Sequence, residues 1–308
     1  MKKKWYQVLT LAVCVGAVGG NLYATNNQLV EKVVVTNQKI KTKQEEKLSK
    51  QAILVVSTGT TYNEVRELTI DAIENKIAAY FTDYKVYSAL SSQSIIKKIE
   101  ARDKMDILDV EEAMQQLIEE QVDTVVIQPT YVMNGQEYEK MKEIVEKYRS
   151  HFTSISYGAP LLSSTEDYKV VADIISKEAT KLKEDEAIVY MGHGTEHYAN
   201  AGYAALNYVL QDLGYHQVII GTLDSYPGID EVIKTLQSKK IKKVKLMPFM
   251  IIAGSHANTD MAGEDKDSWK SQLEAAGFEV TCEIKGLGEY EEIHKLYIDH
   301  VQAGIAQS

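Results

Sequence analysis

Short runs rich in β-branched residues alternate with amphipathic segments of helical length from Ala52 onward, and this alternation constrains the fold more than any other feature. Strand–helix alternation predicts parallel sheets that are covered by helices on both faces. The predicted strands are Ala52–Ser57, Tyr84–Ala89, Thr124–Gln128, Ser154–Tyr157, Ala187–Met191, Gln217–Thr222, Lys243–Met247 and Glu279–Ile284. The predicted helices include Glu64–Ala79, Val110–Glu120, Ala201–Leu213, Ile229–Ser238, Ser268–Ala276 and Glu291–Ala303.

The chain contains the same four-strand pattern twice. Ile53–Thr61 (ILVVSTGTT) parallels Ile188–Glu196 (IVYMGHGTE), and Pro129–Gly135 parallels Pro248–Gly254, with Gly six residues after Pro in both. We therefore predict two similar Rossmann-like α/β units, residues 51–160 and 161–308. Ligands of open parallel sheets bind beyond the carboxyl ends of the strands, so two facing units would leave a cleft between them. The predicted cleft loops follow Ser57, Gln128, Met191, Thr222 and Met247.

The N-terminus has the pattern of a secretory signal. Three lysines in Met1–Lys4 precede the uncharged apolar run Val8–Val18, and small residues follow up to Ala24. We predict that residues 1–24 are a signal peptide, that residues 25–50 are a polar spacer, and that the protein is exported to the periplasm or another extracytoplasmic compartment. The alternatives are an uncleaved anchor and, because of Cys14, a lipoprotein. Cleavage would leave Cys282 as a lone thiol, which suits an exported protein.

The charge balance excludes a bulk electrostatic attraction to nucleic acid. The chain has 34 basic and 44 acidic residues and a formal net charge of -10, whereas surfaces that bind nucleic acid are basic. No apolar run reaches the roughly 20 residues that a membrane-spanning helix needs. We therefore expect neither a nucleic-acid partner nor a membrane span.

Histidines occupy matched strand ends in the second copy only. His193 stands where the first copy has Thr58, and His256 stands where it has Glu137. Imidazoles bind metals and transfer protons near neutral pH, so the second copy is predicted to carry the chemistry. The alternative is that both are hydrogen-bonded loop residues. Asp224, after the sixth predicted strand, would reach the same cleft, and two imidazoles with a carboxylate suit Co²⁺, Ni²⁺, Fe²⁺ or Zn²⁺.

Two short motifs at this place carry little weight. His193-Gly-Thr-Glu-His197 matches the His-x-x-Glu-His zinc pattern, but that pattern requires a helix and this segment is typical of a strand-to-helix turn. Gly192-x-Gly194 lacks the third glycine of a dinucleotide fingerprint. A zinc protease and a nucleotide site are therefore both disfavoured. The remaining histidines have no evident chemical partner: His151, His216, His294 and His300.

Four stretches together resemble one known family. They are Val55–Tyr62 (VVSTGTTY), Met191–Asn200 (MGHGTEHYAN), Gly221–Pro227 (GTLDSYP) and Ala253–Gly263 (AGSHANTDMAG), the last followed by Asp267–Lys270 (DSWK). Over about residues 52–303 the chain resembles the anaerobic sirohydrochlorin cobaltochelatases of the class II chelatase superfamily, as an exported member. The resemblance implies two similar α/β halves around a cleft, which agrees with the repeat.

The resemblance also implies an activity, which is insertion of Co²⁺ into the tetrapyrrole sirohydrochlorin on the anaerobic route to cobalamin, with release of two protons and no organic cofactor. It places the family's two catalytic, metal-binding histidines on His193 and His256, and its metal-binding carboxylate, a Glu, on Asp224. Two further departures are Tyr131, where the family pattern has His, and Gln93, where it often has Arg. Homo-oligomers are implied as well.

Within that resemblance, His193 is the candidate for combined metal ligand and proton acceptor, and Glu196 is the candidate for orienting an imidazole. Lys97, Lys98 and Arg102 are candidates to pair with carboxylates of the macrocycle, although their pattern is equally typical of a solvated helix face. The opposite wall of the cleft is expected to include a hydroxyl side chain at residue 57 or 58.

Three other functions are compatible with the same residues. The first is an exported, non-enzymatic binding protein for haem, another tetrapyrrole or a metal. The second is a chelatase that inserts or removes iron or nickel in the same cleft. The third is a small-molecule α/β enzyme unrelated to tetrapyrroles.

Overall fold

The computed structural model of the protein describes residues 50–307, so the predicted signal peptide and the spacer up to residue 49 lie outside the described residues. Within that range, eight strands form two four-stranded parallel sheets. The first sheet has the order β2-β1-β3-β4, with β1 (Gln51–Ser57), β2 (Lys85–Leu90), β3 (Thr124–Pro129) and β4 (Ser154–Tyr157). The second has the order β6-β5-β7-β8, with β5 (Glu186–Gly192), β6 (Val218–Thr222), β7 (Lys243–Phe249) and β8 (Glu279–Cys282).

The matching strand orders confirm the predicted fold of two similar α/β units. All eight predicted strands are present, and the largest differences are at two ends. β7 continues to Phe249 because this central strand keeps pairing with β5 up to Gly192. β8 stops at Cys282 and not at Ile284, because it is an edge strand whose pairing with β7 ends there and Ile284 is exposed.

Helices lie between successive strands. Where the sequence predicts one helix over Glu64–Ala79, α1 (Asn63–Arg66) passes through a π-helical turn (Glu67–Asp71) into α2 (Ala72–Tyr80). The others are α3 (Gln93–Asp103), α4 (Val110–Glu119), α5 (Gln136–Glu146), α6 (Thr165–Ile175), α7 (Ala201–Asp212), α8 (Ile229–Ser238), α9 (Trp269–Ala275) and α10 (Glu291–Ile305). In residues 50–307, no helix has the length and apolar character needed to cross a bilayer.

The last helix joins the two halves into one core. α10 follows the second sheet in sequence, yet it packs on β3 and β4 of the first sheet. Tyr297 of α10 is fully buried in a cluster that also contains Ile53 of the first sheet and Phe249 of the second. The predicted boundary between residues 160 and 161 stays a prediction, because a helix from the second half completes the core of the first.

Two of the histidines without an evident partner support this packing. His294 Nε2 lies 2.6 Å from the Gly288 carbonyl oxygen. His300 Nδ1 lies 2.9 Å from the Ala159 carbonyl oxygen, and its Nε2 lies 3.1 Å from Asp167 Oδ1. Both side chains are buried, so they hold α10 to the chain around it and lie away from the cleft.

A half-buried carboxyl on α2, that of Glu74, makes stability depend on pH. Burial raises the pKa of Glu74 to about 7, against a smaller lowering by the Ser88 hydroxyl that donates to it. The folded state therefore retains a proton that the unfolded chain loses at about pH 4.5, so stability falls as pH rises from about 4.5 to 7 and is then constant.

We expect Glu74→Gln to remove this fall in stability with pH, because a glutamine side chain does not titrate. At pH 8 the variant should be more stable than the wild type by an amount on the order of 3 kcal/mol, and at pH 4 the two should be equal. Urea unfolding across this pH range measures the difference. Glu143→Gln, an exposed change on α5, should leave the pH profile unaltered, and equal profiles for Glu74→Gln and wild type would contradict the interpretation.

Candidate active site

A cavity of about 850 Å³ lies at the carboxyl ends of the two sheets. Its walls come from the loops after β1, β3, β5, β6 and β7, which confirms the predicted cleft loops. The loop after β2 and the first turns of α3 also line it, through Ser92, Ser94, Ile95 and Lys98. The sequence analysis missed that contribution, although the loop follows a predicted strand in the same way as the others.

Two glycines shape the turn that places His193 in the cavity. A Cβ at Gly192 would lie 2.4 Å from the ring of Tyr203, so the strand can end against that ring only without a side chain. Gly194 has φ +82°, a conformation that L residues rarely adopt. Burial raises the pKa of Tyr203 to about 12, so the phenol stays neutral beneath the turn.

The zinc-protease geometry is absent from this segment. Residues 193–197 are not helical, and a 3₁₀ turn at Tyr198–Asn200 leads into α7, as expected for a strand-to-helix turn. His197 Nδ1 accepts a hydrogen bond from the backbone N–H of Ala199 at 3.2 Å, and its Nε2 lies 3.2 Å from Glu139 Oε1. His197 is therefore bonded to α5 of the first half and does not pair with His193.

His193 and His256 meet in the cavity, with ring centroids 4.7 Å apart and planes at 89°. His193 Nδ1 lies 3.1 Å from the Gly194 carbonyl oxygen, and His256 Nδ1 lies 2.7 Å from Asp260 Oδ2. Carbonyl and carboxylate oxygens only accept hydrogen bonds, so these partners assign the proton to Nδ1 in both rings. Each Nε2 then keeps a lone pair, which can bind a divalent metal or a proton.

Asp224 lies beside His193, on the side of the ring that carries the proton. Its Oδ2 is 3.6 Å from His193 Nδ1, and its backbone N–H donates to the His193 carbonyl oxygen at 3.0 Å. In the part of the chain that the structure describes, no group of three or more His, Cys, Asp and Glu side chains is arranged to hold a metal ion. The three predicted ligands are therefore brought together as an imidazole pair with a neighbouring carboxylate, and not as a closed cage.

The first half contributes a hydroxyl-rich wall around Glu137. Thr58 Oγ1 and Ser91 Oγ donate to Glu137 Oε2 at 3.2 and 3.4 Å. Of the two hydroxyl positions expected in this wall, Thr58 lines the cavity, whereas Ser57 is buried and bonded to Thr130. The repeat matched Glu137 with His256 but assigned it no role, although that match was the signal for a functional carboxylate.

Of the three basic candidates, only Lys98 lies in the cavity wall. Lys97 does not line the cavity. Arg102 is held on the surface by Asp103 and by Asn63 Oδ1, the latter at 2.5 Å, so its guanidinium braces the start of α1. Gln93, the position that often carries Arg in the resemblance, donates to Asp109 Oδ2 at 2.6 Å.

Glu196, the candidate for orienting an imidazole, lines the cavity, but other residues make the hydrogen bonds to the imidazoles. The orienting carboxylate at His256 is Asp260, which lies four residues further along the chain in a π-helical turn, Ala257–Met261. The sequence analysis missed Asp260. An i, i+4 spacing of His and Asp was the available signal, because such residues lie on one face of a helical turn.

Comparison with known families agrees with this geometry. A family model described as "Cobalt chelatase (CbiK)" matches residues 51–306, which includes both sheets and every residue that lines the cavity.

The chain belongs to the CbiK cobalt chelatase family.

The CbiK-family assignment is supported by two curated relatives. The chain is 38% identical over 256 residues to the sirohydrochlorin cobaltochelatase of Salmonella typhimurium, covering 83% of this chain and 97% of the relative. It is 33% identical over 271 residues to the sirohydrochlorin cobaltochelatase CbiKC of Nitratidesulfovibrio vulgaris, covering 87% of this chain and 95% of the relative.

Solved structures support the fold of this CbiK-family chain. SirB from Bacillus subtilis, solved with Fe³⁺, has a TM-score of 0.58 at 15% identity, covering 84% of this chain and 96% of SirB. CbiX, described as the terminal enzyme of siroheme biosynthesis in denitrifying bacteria, has a TM-score of 0.50 at 14% identity, covering 82% and 98%. At these identities the likeness shows a shared chelatase fold.

Removing the Asp260 carboxylate should release His256 from its present tautomer. We expect Asp260→Ala to weaken binding of Co²⁺ to the protein by about 10- to 100-fold, the usual effect of losing a hydrogen-bond partner of a metal-binding histidine. Competition with a coloured chelator measures the affinity. Thr259→Ala is the matched control, because it removes a 2.8 Å bond to Ser255 in the same turn without touching His256. Equal losses of Co²⁺ affinity in the two variants would mean that the affinity depends on the structure of the turn and not on the Asp260 carboxylate.

Proposed function

We propose that this protein is a sirohydrochlorin cobaltochelatase, which inserts Co²⁺ into sirohydrochlorin in cobalamin biosynthesis. The observation that carries the proposal is the imidazole pair, with ring centroids 4.7 Å apart in a cavity of about 850 Å³ between the two sheets. The two curated relatives, which carry this activity in their names, support it over nearly their whole length.

An imidazole pair suits a metal ion that must be transferred from the protein to the macrocycle. His193 and His256 would hold Co²⁺ through their Nε2 atoms, while the other coordination positions stay open to water and to the nitrogens of the macrocycle. Asp224, about half exposed beside His193, is the proposed third ligand, and its side chain would have to turn from the Nδ1 side of the ring toward an ion on Nε2. A ready-made three-ligand cage would bind the ion more tightly and slow its transfer, so the open arrangement favours turnover.

Two protons must leave when the metal enters. The two N–H bonds of the macrocycle break, the electron pairs stay on nitrogen to bind Co²⁺, and the protons pass to bases on the protein. His193 Nε2 becomes free to accept one as it releases the metal, and the Glu137 carboxylate on the opposite half can accept the other. Cobalt stays divalent throughout, so the reaction as written needs no electron carrier or other organic cofactor.

Charge in the cavity orients the macrocycle. Its walls carry the carboxyl side chains of Glu137, Glu196 and Asp224, and Lys98 is the sole lysine or arginine among the described residues that line it. Peripheral carboxylates of sirohydrochlorin would be repelled by the inner acids, so we expect them to point toward the open mouth and Lys98.

Loss of His193 should abolish metal insertion while preserving the fold. We expect His193→Ala to lower turnover by about 100-fold or more, since it removes a ligand and a base together, and to unfold at the wild-type temperature because the side chain is half exposed. Sub-stoichiometric protein lacking residues 1–24 is mixed anaerobically with sirohydrochlorin and Co²⁺, and the absorption spectrum is followed.

The control for that assay is His216→Ala, which removes an exposed imidazole bonded to Gln211, outside the cavity. Unchanged turnover in His193→Ala would remove this residue from the mechanism. Macrocycle uptake by the wild type that stops at one equivalent per protein would identify a tetrapyrrole-binding protein instead. Fe²⁺, Ni²⁺ and Zn²⁺ in the same assay identify the metal that this cavity, with Asp224 in place of Glu, inserts fastest.

We also propose that the protein is exported, on the support of the signal-like pattern in residues 1–24. The mature protein recovered from an extracytoplasmic fraction should begin at or near residue 25, as read by intact mass. Val13→Arg should block export by placing a charge in the apolar run, whereas Val33→Arg in the spacer should not. Retention of residues 1–24 in the recovered protein would contradict cleavage.

Light scattering of the same sample tests the predicted homo-oligomer.

A further inference from the structure

A phenol in the first wall of the cavity lacks a hydrogen-bond partner. Tyr131 follows β3, lines the cavity and is 7% exposed. Its hydroxyl is out of contact with solvent and has no protein partner. Ser91 and Glu137 are near enough to influence the Tyr131 pKa, but neither meets hydrogen-bond geometry with the phenol oxygen, and Ser91 donates to Glu137.

The ring cannot turn away easily to find a partner, because it belongs to a buried apolar cluster of the first half and its backbone is held from two sides. The Tyr131 carbonyl oxygen accepts from the Leu161 N–H at 2.9 Å and from the Tyr297 hydroxyl at 3.2 Å. Burial raises the pKa of Tyr131 far above its usual value. The hydroxyl therefore remains a neutral donor over the whole working range of pH.

A buried donor without a partner destabilises the free protein, so such groups are rare, and one in the wall of a cavity is accounted for by a ligand or an ordered water that pairs with it. We propose that Tyr131 donates a hydrogen bond to an acceptor atom of the bound macrocycle, which gains access to the hydroxyl as the surrounding wall adjusts on binding, and that it thereby contributes to substrate recognition. This inference rests on the proposed function, because it takes the tetrapyrrole as the occupant of the cavity. It assigns a recognition role to the position where the family pattern has His.

The acceptor belongs to one of two chemical groups of a free-base tetrapyrrole. One is an unprotonated ring nitrogen, which would pair with the phenol while a pyrrole N–H faces the neighbouring Glu137 carboxylate. The other is a peripheral carboxylate oxygen. Metal insertion distinguishes these two acceptor groups. All four ring nitrogens of the cobalt product are bound to metal and cannot accept a hydrogen bond, whereas its carboxylates still can.

The first measurement is the stability of free Tyr131→Phe, which removes only the hydroxyl. We expect its unfolding temperature to equal or exceed that of the wild type. Tyr190→Phe is the matched control, because the Tyr190 side chain is also buried but its hydroxyl donates to the Ile175 carbonyl oxygen at 3.1 Å, outside the cavity lining. That control should unfold lower by roughly 2–4 °C. An equal drop in Tyr131→Phe would mean that its hydroxyl already has a partner, and would overturn the inference.

The second measurement is macrocycle affinity without turnover, by absorbance titration of wild type, Tyr131→Phe and Tyr190→Phe in the presence of a metal chelator. Tyr131→Phe should bind sirohydrochlorin about 2- to 12-fold more weakly than the wild type, and Tyr190→Phe should bind it equally well. A loss confined to metal-free sirohydrochlorin identifies a ring nitrogen as the acceptor. An equal loss for the cobalt product identifies a carboxylate.

Unchanged affinity of Tyr131→Phe for both forms would overturn the inference while leaving the proposed function intact. Failure of the wild type to bind sirohydrochlorin at all would overturn the proposed function, and the donor role of Tyr131 with it. The wild-type titration therefore separates these two failures.

Discussion

The packing of α10 on the first sheet, within an apolar cluster that also contains side chains of the second sheet, determines where the walls of the cavity stand. The helix belongs to the second half by sequence, but its buried face completes the core over β3 and β4 of the first half. Side chains from both sheets share one continuous apolar cluster with it. Separating the halves would expose that cluster to water, so the hydrophobic effect holds the two sets of strand ends at a defined separation. The imidazoles of one half and the hydroxyl-rich wall of the other depend on that separation.

Chemistry in the second half depends on which ring nitrogen carries the proton. A backbone carbonyl at His193 and a carboxylate at His256 accept from Nδ1, so both lone pairs lie on Nε2. The same partners restrict rotation of the rings. In the proposed mechanism, metal binding and proton transfer both use Nε2, which suits a reaction in which the metal leaves its ligands as protons arrive.

The first half carries no imidazole at the strand ends matched to His193 and His256, yet those strand ends are not inert. Glu137 occupies the position matched to His256 and is held by two hydroxyl donors. Tyr131 adds an unpaired donor to the same wall. The duplicated scaffold thus presents nitrogen lone pairs from one copy and a mixed donor–acceptor surface from the other.

Periodicity and the internal repeat were sufficient to predict both sheets and five of the six loops that line the cavity, because these follow from local hydrophobic patterning and from the topology of parallel sheets. The same patterning placed His193, His256 and Asp224 at strand ends on one side of the molecule. It did not predict that Asp260 bonds to His256, that Arg102 is bound to Asp103, or that α10 crosses to the other sheet. Each of these is a contact between side chains or elements whose directions are set only when the whole core packs. The sequence by itself therefore determined the two sheets and the strand ends that bring His193, His256 and Asp224 to the cleft. The tertiary structure decided which atoms of those residues face one another, since hydrogen-bond geometry depends on distances of a few tenths of an ångström that no linear pattern contains.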